Sequence, residues 1–317
     1  MDMNKKGFEF SFAWLFALIV GAFILFLAIY TTTKLIRTST YQLNTVTAKQ
    51  LSIIFEPMET GLASGKSTKA NLREETKIFN DCFEGGGFGK QRFSLSSKQG
   101  FGQKWSEKGP EGGIPVTNKY IFSEAEEQGK TIYFFSKPLE LPWKISEIIF
   151  LSTSKYCFVD APEEIEDEVK GLRLENIGTG NCSAQDIKVC FDKSECDITV
   201  RGSCFDKYEC ESEYEHGSVE KQGKTLNYVG SLMYAAIFSS PETYECNVNR
   251  LIKRLMQQAL LLKDESDFLS VKCGTLPSTG LLQIAGFDFQ DSQDLLLLRQ
   301  ISENLNKENE AANCQLW

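Results

Sequence analysis

The chain has 317 residues, ten cysteines, a single histidine and a formal net charge of −9. The first 37 residues carry Lys5, Lys6, Lys34 and Arg37 against Asp2 and Glu9, which leaves the remainder at −11. Such an acidic balance without clustered Lys and Arg argues against nucleic-acid binding, and one histidine leaves little for histidine-centred catalysis or zinc ligation. The length is ample for a buried core beyond any anchor.

Residues 1–7, MDMNKKG, form a short basic leader expected on the cytoplasmic side. Residues 12–30 follow with nineteen positions free of charge, about 28 Å of helix, close to one hydrocarbon thickness. Phe, Trp, Leu and Ile point all round the axis, unlike the striped pattern of a core helix. A transmembrane helix is therefore expected over residues 8–37, with the lipid bilayer as its partner. All ten cysteines follow this segment. That placement suggests an oxidising compartment, hence a single-pass cell-membrane protein with its bulk outside the cytoplasm.

The order Lys5-Lys6-Gly7, then Phe8-Glu9, then the apolar run resembles the leader of type IV pilin-like membrane-anchored surface proteins, particularly archaeal ones with a class III signal peptide. The resemblance covers about thirty residues. It implies cleavage after Gly7, with Phe8 as the new N-terminus. It also implies an extracytoplasmic structural role as a pilin-like subunit or pseudopilin, meeting copies of itself or other pilin-like subunits through this helix. The chain departs from the bacterial pattern at Phe12, where bacterial pilins place a glutamate at the fifth mature position; its acid is Glu9, at the second. The alternative is an uncleaved signal anchor on a cell-surface binding or adhesion protein with no filament role.

Residues 38–65 read as a stalk helix and linker. Leu43, Val46, Leu51 and Ile54 form an outer apolar face that should pack on a sheet or partner helix, and Pro57 should bend or end the rod near Glu56. In residues 61–67, and again around Gly85, Gly89 and Lys90, the glycines stand one residue too close for a phosphate-binding loop, so no nucleotide or other cofactor is expected.

Residues 66–175 form the first, β-rich part of the head, with short alternating runs suited to antiparallel pairing and a short helix at 160–171. Residues 176–317 should hold cysteine-rich hairpins and C-terminal helices. Here CFDKSEC begins at Cys190 and CFDKYEC fourteen residues later at Cys204. The first copy reads as a hairpin turning at Asp192-Lys193-Ser194-Glu195, with Cys190 bonded to Cys196 and, by analogy, Cys204 to Cys210. Five residues between paired cysteines exceed the usual zinc spacing, so no metal is expected. The disulfide candidates are thus Cys82, Cys157, Cys182, Cys190, Cys196, Cys204, Cys210, Cys246, Cys273 and Cys314. Asn181-Cys182-Ser183 fits the glycosylation acceptor pattern.

A further hairpin turns at residues 221–224, and residues 228–238 form a buried strand or helix. Ser240-Pro241-Glu242 opens a helix, and a second runs over about 291–310. His216 lies among acids near a turn, where a catalytic role is not expected. No spacing singles out an aspartate pair or a Ser-Lys pair either. The fold class is therefore α+β: a transmembrane helix continuing into an amphipathic stalk, then a disulfide-stabilised antiparallel β-rich head with C-terminal helices. Protein purified from its native membrane should show none of its ten cysteines labelled when a thiol alkylator is added in denaturant and the product is weighed by mass spectrometry.

Overall fold

The computed structural model describes residues 12–59, 67–99, 104–105, 113–193, 196–204, 212–274 and 276–317, with backbone alone for 36–57, 59, 99 and 104. Helix α1 runs unbroken over Phe12–Glu59. It continues past Pro57, because so near a helix end proline forfeits one hydrogen bond without forcing the following residues out. The side chains of Leu43, Val46, Leu51 and Ile54 lie outside the described set.

The first sheet comprises β1 (Ser67–Phe83), β2 (Lys90–Gln99), β3 (Lys104–Trp105), β4 (Ile114–Val116), β5 (Ile121–Phe122), β6 (Glu126–Glu140) and β7 (Lys144–Ser152). Their order is β3-β2-β1-β6-β7-β5, with β4 also on β2. Pairing is antiparallel except that β5 joins β7 in parallel. Since β4 adds to β2 and β5 to β7, residues 114–122 bridge the two ends of the sheet and curl it on itself.

Side-chain amides complete the seam. Gln91 imitates a strand neighbour: its Oε1 accepts from Ile121 N at 2.8 Å and its Nε2 donates to Ile121 O at 2.7 Å. Asn80 Nδ2 donates to Ile121 O at 3.2 Å, and Asn247 Nδ2 reaches the same oxygen at 3.0 Å. Arg250, fully buried, donates to Phe88 O at 2.9 Å, Lys119 O at 3.2 Å and Asn247 Oδ1 at 2.7 Å, with its guanidinium 4.9 Å from the Tyr120 ring centroid. Burial pulls its pKa down to about 10, still charged at neutral pH.

One face of the curled sheet makes a core of Ile78, Phe93, Ile121, Ile132, Phe134 and Leu151, into which Met58 of α1 is packed at 3% exposure. The helix lies against β2, β4, β6 and β7. Burying one methionine contributes roughly 1.5–3 kcal/mol to holding stalk and head together.

The second sheet holds β8 (Tyr156–Val159), β9 (Ile177–Thr179), β10 (Ile187–Phe191), β11 (Ile198–Gly202), β12 (His216–Lys221) and β13 (Lys224–Val229), ordered β13-β12-β11-β10-β8-β9. Here the antiparallel expectation fails: β9, β8, β10 and β11 run parallel, and antiparallel pairing is confined to β11-β12-β13. Helix α2 (Glu163–Gly171) supplies the crossover between parallel β8 and β9. The hairpin expected at Asp192-Lys193-Ser194-Glu195 is also corrected, since β10 and β11 pair in parallel; Ser194 and Glu195 themselves lie outside the described residues. The Cys190–Cys196 bond links β10 to the residues just before β11, and Lys188 N donates to Asp197 Oδ2 at 2.8 Å. Alternating apolar runs record which face is buried and carry no information about strand direction.

The remaining elements are α3 (Leu232–Phe238), α4 (Pro241–Cys273), α5 (Ser278–Ala285), a 3-10 turn at Ser292–Asp294 and α6 (Leu295–Ala311). Residues 228–238, left open between strand and helix, finish β13 and then form α3. All seven residues of α3 are buried, so it works as a wedge within the main core. Phe238 meets Phe135 at 5.3 Å and Tyr156 at 4.5 Å, while Phe135 stacks on Phe150 at 4.3 Å. Ser240 caps α4 by accepting from Thr243 N at 3.2 Å.

A buried clamp ties the sheets. Lys221, from β12, donates to Ile237 O at 2.8 Å and Ser239 O at 2.9 Å at the end of α3, and pairs with Glu124 at 2.5 Å. Beside it Glu127, from β6, accepts from Thr153 N at 2.8 Å and Thr153 Oγ1 at 2.6 Å, while its Oε1 has no hydrogen-bond partner among the described residues. Burial pushes its carboxyl up to about 6. An acid whose folded pKa is raised destabilises the fold progressively as pH climbs from about 4.5 through about 6. Relative to Glu127→Gln, the natural protein should therefore lose up to about 2 kcal/mol between pH 4 and pH 7.5. Denaturant unfolding in nonionic detergent at the two pH values measures the difference.

Candidate functional site

Two features stand apart from the packed core. The first is residues Phe12–Leu35, 24 positions with none buried, whose most apolar eighteen-residue stretch has mean hydropathy 2.8, long and apolar enough to cross a bilayer. Phe12, Trp14, Phe16, Phe23 and Phe26 are all more than half exposed. The polar groups near its far end are satisfied within the helix: the hydroxyls of Thr31, Thr32 and Thr33 donate to the carbonyls of Leu27, Ala28 and Ile29 at 2.7, 2.7 and 2.9 Å. Such self-contained bonding is what a hydrocarbon environment requires. Gly7 and Phe8, the expected cleavage pair, lie outside the described residues.

The cysteines staple elements distant in sequence. Cys82–Cys246 joins β1 to α4, Cys157–Cys182 joins β8 to the segment after β9, and Cys273–Cys314 joins the end of α4 to the tail beyond α6. Cys190 is bonded to Cys196, and Cys204 is also disulfide-bonded, while Cys210 lies outside the described residues. Asn181 is exposed in a bend beside the bonded Cys182.

The second feature is a double cleft where β6 and the β11–β12 end meet α2, α3 and α6. At that end Gly217 lets β12 lie close against β11, since a Cβ there would stand 1.9 Å from Arg201 O. The smaller lobe, about 400 Å³, has Ile165, Met233 and Tyr234 as its apolar wall and Glu164 and Glu168 as its acids. Tyr234 OH donates to Glu168 Oε2 at 2.5 Å; the Lys137 ammonium pairs with Glu168 and lies 4.5 Å from the Tyr234 ring centroid. The larger lobe, about 1000 Å³, is lined by His216, Arg299, Ser302, Glu303 and Asn306 among others. Glu140, Glu215 and Gly230 line both lobes, so the two are continuous.

In the larger lobe Arg299 Nη2 bonds Glu303 Oε1 at 2.6 Å and Glu215 Oε1 at 3.3 Å. Asn306 Nδ2 donates to Glu310 Oε1 at 2.8 Å, and the Trp317 indole donates to Asn306 Oδ1 at 3.0 Å. Ser302 is 1% exposed and its hydroxyl has no hydrogen-bond partner among the described residues. Burial, then the charge of Arg299, hold the His216 pKa below its ordinary value, against a smaller upward pull from Glu215 and Glu303. His216 is thus neutral at pH 7. Across both lobes six glutamates face three cations.

The sequence did not single this cleft out, because its acids come from β6, α2, the loop before β12 and α6. One local signal was present. Arg299, Glu303, Asn306 and Glu310 repeat at four, three and four residues, which puts them on one face of α6. Among the described residues no cluster of His, Cys, Asp and Glu is disposed to hold a metal ion. No protein-family model matches this chain, and neither a curated protein nor a solved structure matches it.

The lone histidine makes the electrostatics directly measurable by NMR. His216 should titrate below the ordinary histidine value of about 6.5. Arg299→Gln should raise its pKa, since the repelling charge goes while Glu215 and Glu303 remain beside the imidazole. An unchanged titration in that variant would contradict the arrangement described.

Proposed function

We propose that the protein is a membrane-anchored extracytoplasmic structural subunit of pilin-like type. Its N-terminal helix is held in the bilayer and meets copies of itself or related subunits there. The observation that carries this reading is the division of α1: its first 24 described residues are all exposed, while its last turn is packed in the core of the head through Met58. A single helix of 48 residues, roughly 70 Å long, then acts as one rigid arm between bilayer and head. An apolar surface exposed on every side can be covered by lipid or by neighbouring arms, and assembly replaces one by the other. The leader Lys5-Lys6-Gly7 before Phe8 supports the same reading, as does the oxidised cysteine framework for an extracytoplasmic head.

The test is the N-terminal sequence of protein purified from its native membrane, together with site-specific cross-linking through cysteines placed in the span. Phe8 as first residue and span-to-span cross-links are expected. Gly7→Val should leave the leader attached, because a branched side chain crowds a protease cleft that must take extended backbone. An intact Met1 together with no cross-link would overturn the proposal in favour of a plain anchor.

A further inference from the structure

We propose that the double cleft binds an extended, lysine- or arginine-bearing segment of another protein. The site is independent of how the arms assemble, since none of its residues belongs to α1. Three observations lead to it.

Charge comes first. Six glutamates face Lys137, Arg299 and Lys307, and neutral His216 adds nothing to the positive side. Arg299 is already held by Glu215 and Glu303 and Lys137 by Glu168. Glu140, on the wall shared by both lobes, is exposed, and its carboxylate has no side-chain partner among the described residues. An added cation is therefore favoured where the lobes join.

The second observation is that the cleft already shows how it holds an ammonium group. Lys137 sits over the Tyr234 ring with its charge on Glu168, and Tyr234 OH fixes the same carboxylate from the other side. Aromatic face plus oriented carboxylate is a general recipe for cation recognition. The neighbouring apolar wall of Ile165 and Met233 suits the methylene stem of a second lysine or arginine.

The third observation is the Ser302 hydroxyl, buried in the wall of the larger lobe without a partner among the described residues. An unpaired buried hydroxyl costs stability. A ligand with backbone carbonyls and amides supplies what it lacks. The combined volume, far beyond one side chain, fits several residues of extended peptide.

The experiment uses the full chain in nonionic detergent micelles and fluorescently labelled hexalysine, hexaglutamine and hexaglutamate at low and high salt. Hexalysine should bind at least tenfold more tightly than either of the others and weaken as salt rises. Glu140→Gln should lower hexalysine affinity about threefold, whereas Glu74→Gln, an exposed acid on β1 that lines neither lobe, should not change it. Ser302→Ala should also lower affinity while leaving the melting temperature equal or higher, a combination that a hydroxyl of purely structural importance would not give. Equal binding of hexaglutamate, equal losses in Glu140→Gln and Glu74→Gln, or wild-type affinity in both Glu140→Gln and Ser302→Ala would each overturn the proposal.

Discussion

The architecture depends on closing the first sheet upon itself. A seven-stranded sheet left open would present two terminal strands, and one of its two apolar faces would need another covering element. Bridging its ends with residues 114–122 turns that face inward and creates the core of Ile78, Phe93, Phe134 and Leu151. The seam is too irregular for a continuous backbone ladder, so side-chain amides take the place of strand neighbours, with Gln91 returning both hydrogen bonds of Ile121. Arg250 then satisfies carbonyls that the irregular seam leaves turned inward, those of Phe88 and Lys119. A charge buried at this depth is tolerable because carbonyl and amide oxygens and an aromatic face surround it.

Closure also gives the arm its seat. Residues Phe12–Leu35 of α1 satisfy the demands of hydrocarbon, with apolar side chains outward and threonine hydroxyls bonded back onto the helix, while its last turn satisfies those of a protein core through Met58. No break separates the two environments along the backbone. A displacement of the arm is therefore transmitted to the curled sheet through packed contacts rather than through a loose linker.

Much of this was legible in the chain. The all-round apolarity of residues 12–30 marked the exposed segment, and Ser240-Pro241-Glu242 marked the start of α4, because each signal is local. Strand direction in the second sheet was hidden, since β8, β10 and β11 are short buried runs that read alike in parallel or antiparallel pairing. The CFDKSEC repeat misled for a related reason: cysteines six positions apart can bond across a hairpin or where the flanking strands pair in parallel. Arg250 and Asn247 offered a clue, standing three residues apart on the face shared with Val248 and Leu251, where a charged residue signals a polar partner inside. The cleft was least legible, because its acids converge only after folding.

The arm's seat and the cleft are mechanically joined through α4. Arg250 holds the seam, and two turns later, about 12 Å along the helix, Gln258 accepts from the Trp143 indole at 3.0 Å and donates to Ile145 O at 3.2 Å. Trp143 in turn packs edge-on against Trp317 at 5.1 Å, and Trp317 fixes Asn306 in the cleft wall. The Cys273–Cys314 bond anchors the tail that carries Trp317 to the far end of the same helix. The disulfide, the indole hydrogen bond and the bond from Leu316 N to Asn309 Oδ1 at 2.8 Å hold that tail, and through it Asn306 in the cleft wall, in place. Such preorganisation lowers the entropic cost of binding, and it arises from the same helix whose arginine closes the sheet.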